Sequence, residues 1–306
     1  MRQKLVFIGR KYHAKTKSDE LVLSLLNEQF DVIVIRREEI TDQEAVKQIN
    51  QIKPFAVLFW CLPPSFTFHL LKIKCKNIFW APMWDGFKPL SFKKRFIFAL
   101  YNVKVLCFSE SLIQYFKKTV LKCGYWRCFL KPSEQKNYKE KGPYTFFFWE
   151  REKDISLEKV IEMIGSENIH KVIYKSDINP KDEKEYPFIL ERLPEWLEKT
   201  EYKKKMLEAD FFIAPRKAEG IGFSFLEPMS FGMPVIAYDN STMNEYIHDG
   251  VNGHLFGDDF KLKSFLQSPK MLSTGIENLS NNYYFNWNMK KGKLLSFIES
   301  EGMEVQ

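Results

Sequence analysis

The apolar positions fall into two periodicities that alternate from the N-terminus. KLVFIG (4–9) is a compact apolar run and DVIVI (31–35) is β-branched, so both predict strands. Between them Leu21, Leu25 and Leu26 share one helical face behind Ser18-Asp19-Glu20, which predicts a capped helix. Thr41 caps a second helical segment through Ala45, Val46 and Ile49. Pro54 then opens PFAVLFW, apolar throughout, as a strand covered on both faces must be. NIFWAP (77–82) and VKVLCFS (103–109) predict two more strands. Such alternation predicts a parallel sheet with helices on both sides.

The pattern breaks at KPSEQKNYKEKGP (131–143), which is polar, holds two prolines and a glycine, and lacks an apolar period. It reads as an interdomain linker. Alternation resumes with a strand at YTFFFW (144–149), a helix from Leu157 to Ile164 and a strand at KVIYK (171–175). A helix ending over 201–208, a strand at FFIAP (211–215), a helix from Gly222 to Phe231 and a strand at PVIAYD (234–239) follow. Residues 283–306 predict a last helix. The expected fold is α/β: two Rossmann-like domains, 1–142 and 143–282, with parallel sheets facing across a cleft. Residues 283–306 are expected to form a helix packing back on the first domain.

Composition and charge narrow this picture. The chain has 306 residues, 45% of them hydrophobic, enough for a full core without a disulfide or metal staple. Its longest apolar run, Phe55 to Leu62, is far shorter than the ~20 residues a bilayer crossing needs. The first strand is followed at once by Arg10, Lys11 and Lys15, which argues against a secretory signal. The five cysteines are odd in number, scattered and never spaced CxxC, which argues against a zinc site and for a reduced, cytoplasmic setting. The net charge of +7 hides an asymmetry: residues 1–142 hold 26 Lys/Arg against 12 Asp/Glu, and residues 143–306 hold 20 against 27. A basic front half and an acidic back half suit different partners.

The chemistry concentrates in Ala209 to Phe256. A strand ends at Pro215, a turn with Gly220 and Gly222 follows, and a helix begins near Phe223. Glycines allow a ligand close to the backbone, and the unpaired N–H groups of a helix start attract an anion. The amides around Gly220, Gly222, Phe223 and Ser224 are therefore candidates for a phosphate. Glu219 and Glu227 bracket the turn with seven residues between them, and two carboxylates facing one crevice can accept charge-assisted bonds from vicinal hydroxyls.

Taken whole, EGIGFSFLEPMSFGMPVIA, the Ala209-Asp210 before it and NEYIHDGVNGHLF after it resemble the E-x7-E region of retaining glycosyltransferases with the GT-B fold, most like family 4. The resemblance implies that Glu219 contacts the donor sugar, that Glu227 holds the nucleotide ribose, and that the amides between them hold the diphosphate. It also implies a cationic pair after the first strand of the same domain; Arg151 and Lys153 stand near those places in YTFFFWEREKDISLEKVIEMI, although Glu150 and Asp154 occupy positions the family gives to glycine. The front half resembles the family's acceptor domain more weakly, through VKVLCFSESLIQYFKK. Where many members carry a histidine this chain has NIFWAPMWDG, so Asp85 and the first-loop His13 become the acceptor-side candidates. No Asp-x-Asp occurs, and the resemblance implies a mechanism without metal or other cofactor.

The resulting expectation is a retaining enzyme that moves a hexosyl or related sugar from a nucleotide-diphosphate sugar to a saccharide or glycolipid hydroxyl in cell-surface polysaccharide or glycolipid synthesis. A nucleotide-sugar epimerase and a non-catalytic partner subunit are the alternatives on the same scaffold. Residues 66–104 hold eight Lys/Arg, a single acid (Asp85) and interleaved Phe66, Phe68, Phe87, Phe92, Phe96 and Phe98. That mixture predicts an anionic membrane surface as a partner and a peripheral place on the membrane's inner face. The absence of RNP or helix-turn-helix patterns argues against nucleic acid.

Overall fold

The computed structural model describes residues 2–61, 70–133, 137–178, 184–300 and 302. It divides into two compact units, Met1–Arg127 with Trp287–Gln306, and Cys128–Asn286. Each is built on a six-stranded sheet whose strand pairs are all parallel.

In the first unit the strands are β1 (Lys4–Gly9), β2 (Asp31–Arg36), β3 (Ala56–Trp60), β4 (Ile78–Ala81), β5 (Lys104–Cys107) and β6 (Cys123–Tyr125), in the order β2-β1-β3-β4-β5-β6. The helices between them are α1 (Lys11–Thr16), α2 (Glu20–Gln29), α3 (Asp42–Ile52), α4 (Phe92–Leu100) and α5 (Glu110–Phe116). Central β3 and β4 are buried at every position, which explains their unbroken apolar runs. The core on one face of this sheet joins Val46 and Ile49 of α3, Phe98 of α4 and Leu112 and Phe116 of α5.

In the second unit the strands are β7 (Tyr144–Glu150), β8 (Ile169–Ser176), β9 (Ile189–Arg192), β10 (Phe211–Ile213), β11 (Val235–Tyr238) and β12 (Gly253–Phe256). Their order is β12-β11-β10-β7-β8-β9. Helices α6 (Leu157–Ile164), α7 (Lys199–Leu207), α8 (Phe223–Ser230) and α9 (Met243–Tyr246) lie between them, and α10 (Pro269–Glu299) follows, counted with the first unit from Trp287 on. Both orders reverse direction once, beside the unit's first strand, and so create one topological switch point per sheet: β1/β3 in the first unit, β7/β10 in the second.

Four differences from the sequence-based expectation have local causes. Strands β6, β9 and β12 were absent from the apolar pattern because each is an edge strand of three or four residues. Asp19 does not cap α2; its side chain is buried and meets Arg36 at 2.5 Å instead. The last helix begins at Pro269, not 283, since Pro suits a first helical position and Ser268 Oγ accepts the Met271 N–H at 3.2 Å. The polar stretch 131–143 lies inside the second unit. There Ser133 N–H donates to the Ser230 carbonyl, Cys128 O accepts from Tyr246 Oη, and Tyr138 is buried. By contrast the Thr41 cap forms as a full capping box with Glu44.

Candidate functional site

The second unit's switch point sets two loops side by side, one leaving β7 and one leaving β10. They are tied directly: Lys217 N–H donates to Glu152 Oε2 at 3.2 Å. The β10 loop runs into α8, whose N-cap is Gly222 at φ 88°, ψ 32°. A Cβ on Gly222 would stand 2.0 Å from the Phe225 ring, so both conformation and space require glycine. Phe225 and Leu226 N–H groups turn back to the Gly222 carbonyl, while the N–H groups of Phe223 and Ser224 fall in the first turn, where a helix offers no backbone acceptor.

Glu219 is 92% shielded from solvent, and one of its oxygens (Oε1) accepts from Ser224 Oγ at 2.8 Å. Its own carbonyl accepts from Thr242 Oγ1 at 2.8 Å. Glu227, one turn into α8, is half-buried; burial pushes its carboxyl pKa above the ordinary glutamate value, and Lys199 and Lys203 of α7 oppose that shift. Tyr202, on the same helix α7, is electrostatically coupled to both Glu227 and Arg151. Arg151 lies on the Trp149 ring, 4.6 Å from its centroid, with Nε 3.8 Å from Asp177. Thus Glu219, Gly220, Gly222, Phe223, Ser224, Glu227 and Arg151 belong to loops and a helix start at one switch point. Lys153 is different: it is exposed and has no polar partner among the described residues. Glu150 faces away into the sheet, where Ser176 Oγ (2.7 Å) and Tyr174 Oη donate to its carboxylate.

Sequence reasoning missed the turn that braces this site. Asn240 Nδ2 donates to the Lys217 carbonyl at 2.9 Å, and Thr242 Oγ1 holds Glu219 O. Thr242 itself sits at φ 75°, ψ −54°, a γ-turn conformation that strains a β-branched residue. Buried Glu245 keeps it there, accepting the Thr242 N–H at 3.1 Å and Ser241 Oγ at 2.8 Å. The signal was present as the Thr-x-x-Glu capping spacing of 242–245. His254 lies in β12 and is fully buried.

The first unit has its own crevice at the β1/β3 switch point. A cavity of about 580 Å³ is lined by Arg10, Tyr12 and His13 beyond β1, Cys61 beyond β3, and Trp80 and Asp85 from β4 and the turn after it. The two acceptor-side candidates, His13 and Asp85, therefore border the same space. His13 Nε2 is 4.0 Å from Cys61 Sγ, its Nδ1 is buried with no hydrogen-bond partner among the described residues, and burial lowers its pKa. Burial raises the Cys61 thiol to about 12, with the Asp85 carboxylate adding to the shift.

Of the expected basic stretch, Phe66 and Phe68 lie outside the described residues. Lys104 and Phe98 are buried, Lys104 Nζ reaching Asn77 Oδ1 at 3.3 Å, so neither belongs to an exposed basic face. Among the described residues no helix is long and apolar enough to cross a membrane.

Two Rossmann-like units with these strand orders and switch points define the GT-B fold of glycosyltransferases. Solved structures agree at the level of fold. A sucrose-phosphate synthase from Thermosynechococcus elongatus superposes with a TM-score of 0.67 at 11% identity, over 98% of this chain and 99% of that one. Anabaena HepE in complex with UDP and glucose gives 0.56 at 11% identity, over 98% and 100%. A UDP-N-acetylglucosamine 2-epimerase from Rickettsia bellii gives 0.56 at 12%, over 98% and 96%. Residues 192–278, which span the Gly222 turn, α8 and the Thr242 brace, match the family model described as glycosyl transferases group 1. No curated protein matches the sequence.

Proposed function

We propose that the chain is a retaining, family-4-like glycosyltransferase that takes a nucleotide-diphosphate sugar in the second unit and a saccharide or glycolipid hydroxyl in the first, in polysaccharide or glycolipid synthesis. The observation that carries the reading is that Glu219 and Glu227 bracket the Gly222 start of α8 at a switch point, one just before the helix and the other one turn inside it. The α8 N-terminus supplies N–H groups and a positive dipole end for the diphosphate. Glu227 accepts from ribose hydroxyls. Glu219, oriented by Ser224 and Thr242, accepts from a donor-sugar hydroxyl. Arg151 offsets charge on the departing diphosphate; Lys153, exposed on the same loop, can join it. In the transfer step the bond from the anomeric carbon to the diphosphate oxygen breaks as the acceptor oxygen bonds to the same face of that carbon. The acceptor proton passes to the leaving phosphate oxygen. The protein's part is positioning and electrostatics, and no metal or organic cofactor is assigned a step. His13, kept neutral by burial, and Asp85 would orient the acceptor hydroxyl.

The test has two readouts. Isothermal titration with UDP, GDP and ADP should detect binding that Glu227→Ala weakens, whereas Glu219→Ala should abolish transfer with a smaller effect on nucleotide affinity. The anomeric configuration of the product, read by NMR, must match that of the donor. Absence of nucleotide binding would favour a non-catalytic subunit, and free nucleotide with an altered sugar in the absence of acceptor would identify an epimerase.

A further inference from the structure

Helix α4 has an outward face that no other described residue of the first unit covers. Phe92, Phe96 and Leu100 recur every four residues and are 77%, 61% and 67% exposed. Four residues advance a helix by about 400°, so the three form one stripe within an arc of roughly 80°. Phe98 is on the opposite side, 1% exposed and part of the core, so the helix is properly seated with an apolar stripe left outside.

The charges around the stripe are one-sided. Lys93, Lys94 and Arg95 occupy the first turn of α4, which holds no acidic residue. Cations there face the positive end of the helix dipole, an arrangement that disfavours the isolated helix. A negative counter-surface would reverse that sign. The segment before β4 adds exposed Leu71, Lys72, Lys74 and Lys76. Because β3, β4 and β5 are adjacent in order, both right-handed crossovers lie on the same face of the sheet; Ile73 and Phe98 accordingly share one core cluster. Residues 70–76 and 88–100 together hold seven Lys/Arg and no acid.

We propose that this face, the Phe92–Phe96–Leu100 stripe with its surrounding lysines and arginine, docks on an anionic lipid bilayer. The stripe inserts among acyl chains while the cations meet headgroup phosphates. A second copy of the chain would set two such cationic faces against each other, which like-charge repulsion opposes. A nucleic acid would gain nothing from the aliphatic Leu71 and Leu100, which have no ring to stack on a base. The same helix lends Lys94 and Phe98 to the wall of the 580 Å³ cavity, so docking brings a lipid-borne acceptor to that cavity.

The experiment is co-sedimentation of the full chain with phosphatidylcholine vesicles, with or without about one-third phosphatidylglycerol. Partitioning should require the anionic lipid and weaken as salt rises. Lys93→Gln should lower it about fivefold, and Phe92→Ser/Phe96→Ser at least tenfold. Thermal midpoints should not change, since these side chains point outward. Equal binding to neutral vesicles, no binding, or binding indifferent to the variants overturns the proposal. So does tighter binding of a single-stranded oligonucleotide, or self-association in sedimentation velocity that the double serine variant abolishes without any vesicle binding. No nucleotide sugar is present in the assay, so this proposal and the proposed transfer activity can fail separately.

Discussion

Replacing Gly222 with alanine tests the geometry of the proposed donor site through one carbon atom. Glycine holds φ 88° there, and an L-residue in the left-handed region costs roughly 1–2 kcal/mol. The added Cβ would sit 2.0 Å from Phe225 Cε1, and Phe225 is fully buried, so the ring cannot simply swing into solvent. Overpacking of that kind costs about 1–3 kcal/mol. Alanine's lower unfolded-state entropy returns about 0.5–1 kcal/mol. The net destabilisation is about 1–4 kcal/mol, or a Tm lowered by roughly 2–15 °C for a unit of this size. Gly292→Ala is the matched control: the same atom is added in the interior of α10, where nothing lies within 4 Å and the backbone is helical. It should stabilise by about 0.5–1 kcal/mol. Differential scanning calorimetry of both variants measures the contrast, and nucleotide titration of Gly222→Ala should show weakened binding as the first N–H groups of α8 are re-aimed. A Gly222→Ala protein as stable as the wild type would show that this turn accommodates a side chain, and the case for a backbone shaped to a ligand would collapse.

The bracing turn and two titrating groups give further expectations. Thr242→Val keeps the shape but removes the hydroxyl that holds the Glu219 carbonyl, so it should cost about 1 kcal/mol and weaken donor binding; Thr242→Ser should retain both properties, measured by thermal unfolding and titration. His254 has a pKa lowered by burial, with its Nε2 accepting from Gln267 N–H. The unfolded histidine, near pH 6.5, therefore takes its proton first, so its contribution is present above that pH and is lost as pH falls below it toward the folded value. Urea midpoints of the wild type should drop between about pH 7 and pH 5 more steeply than those of His254→Gln; parallel curves would refute the assignment. Glu227 has a raised pKa, so nucleotide affinity should begin to fall on acidification at a higher pH than an ordinary glutamate would give, and Glu227→Gln should flatten that profile.

The chain's own text determined a great deal. Unbroken apolar runs such as Ala56–Trp60 and Ile78–Ala81 announced central parallel strands, because a strand covered on both faces has no polar position to show. Thr41-x-x-Glu44 fixed a helix start through bonds that span three residues, and Gly222 marked a backbone conformation that side chains resist. The candidate donor residues were readable for the same reason: the loop, the glycine and both glutamates lie within one short segment. Tertiary structure decided what depends on distant partners. Short edge strands at Cys123–Tyr125 and Gly253–Phe256 exist only because a neighbouring strand offers its backbone. His13, Cys61 and Asp85 border one cavity only because strand order places the ends of β1, β3 and β4 together. Of the phenylalanines in residues 66–104, Phe98 went into the core and Phe92 and Phe96 did not, a choice made by which side of α4 meets the sheet. Local patterns carry information over a turn of helix; closure of a sheet and burial of one face are properties of the whole unit.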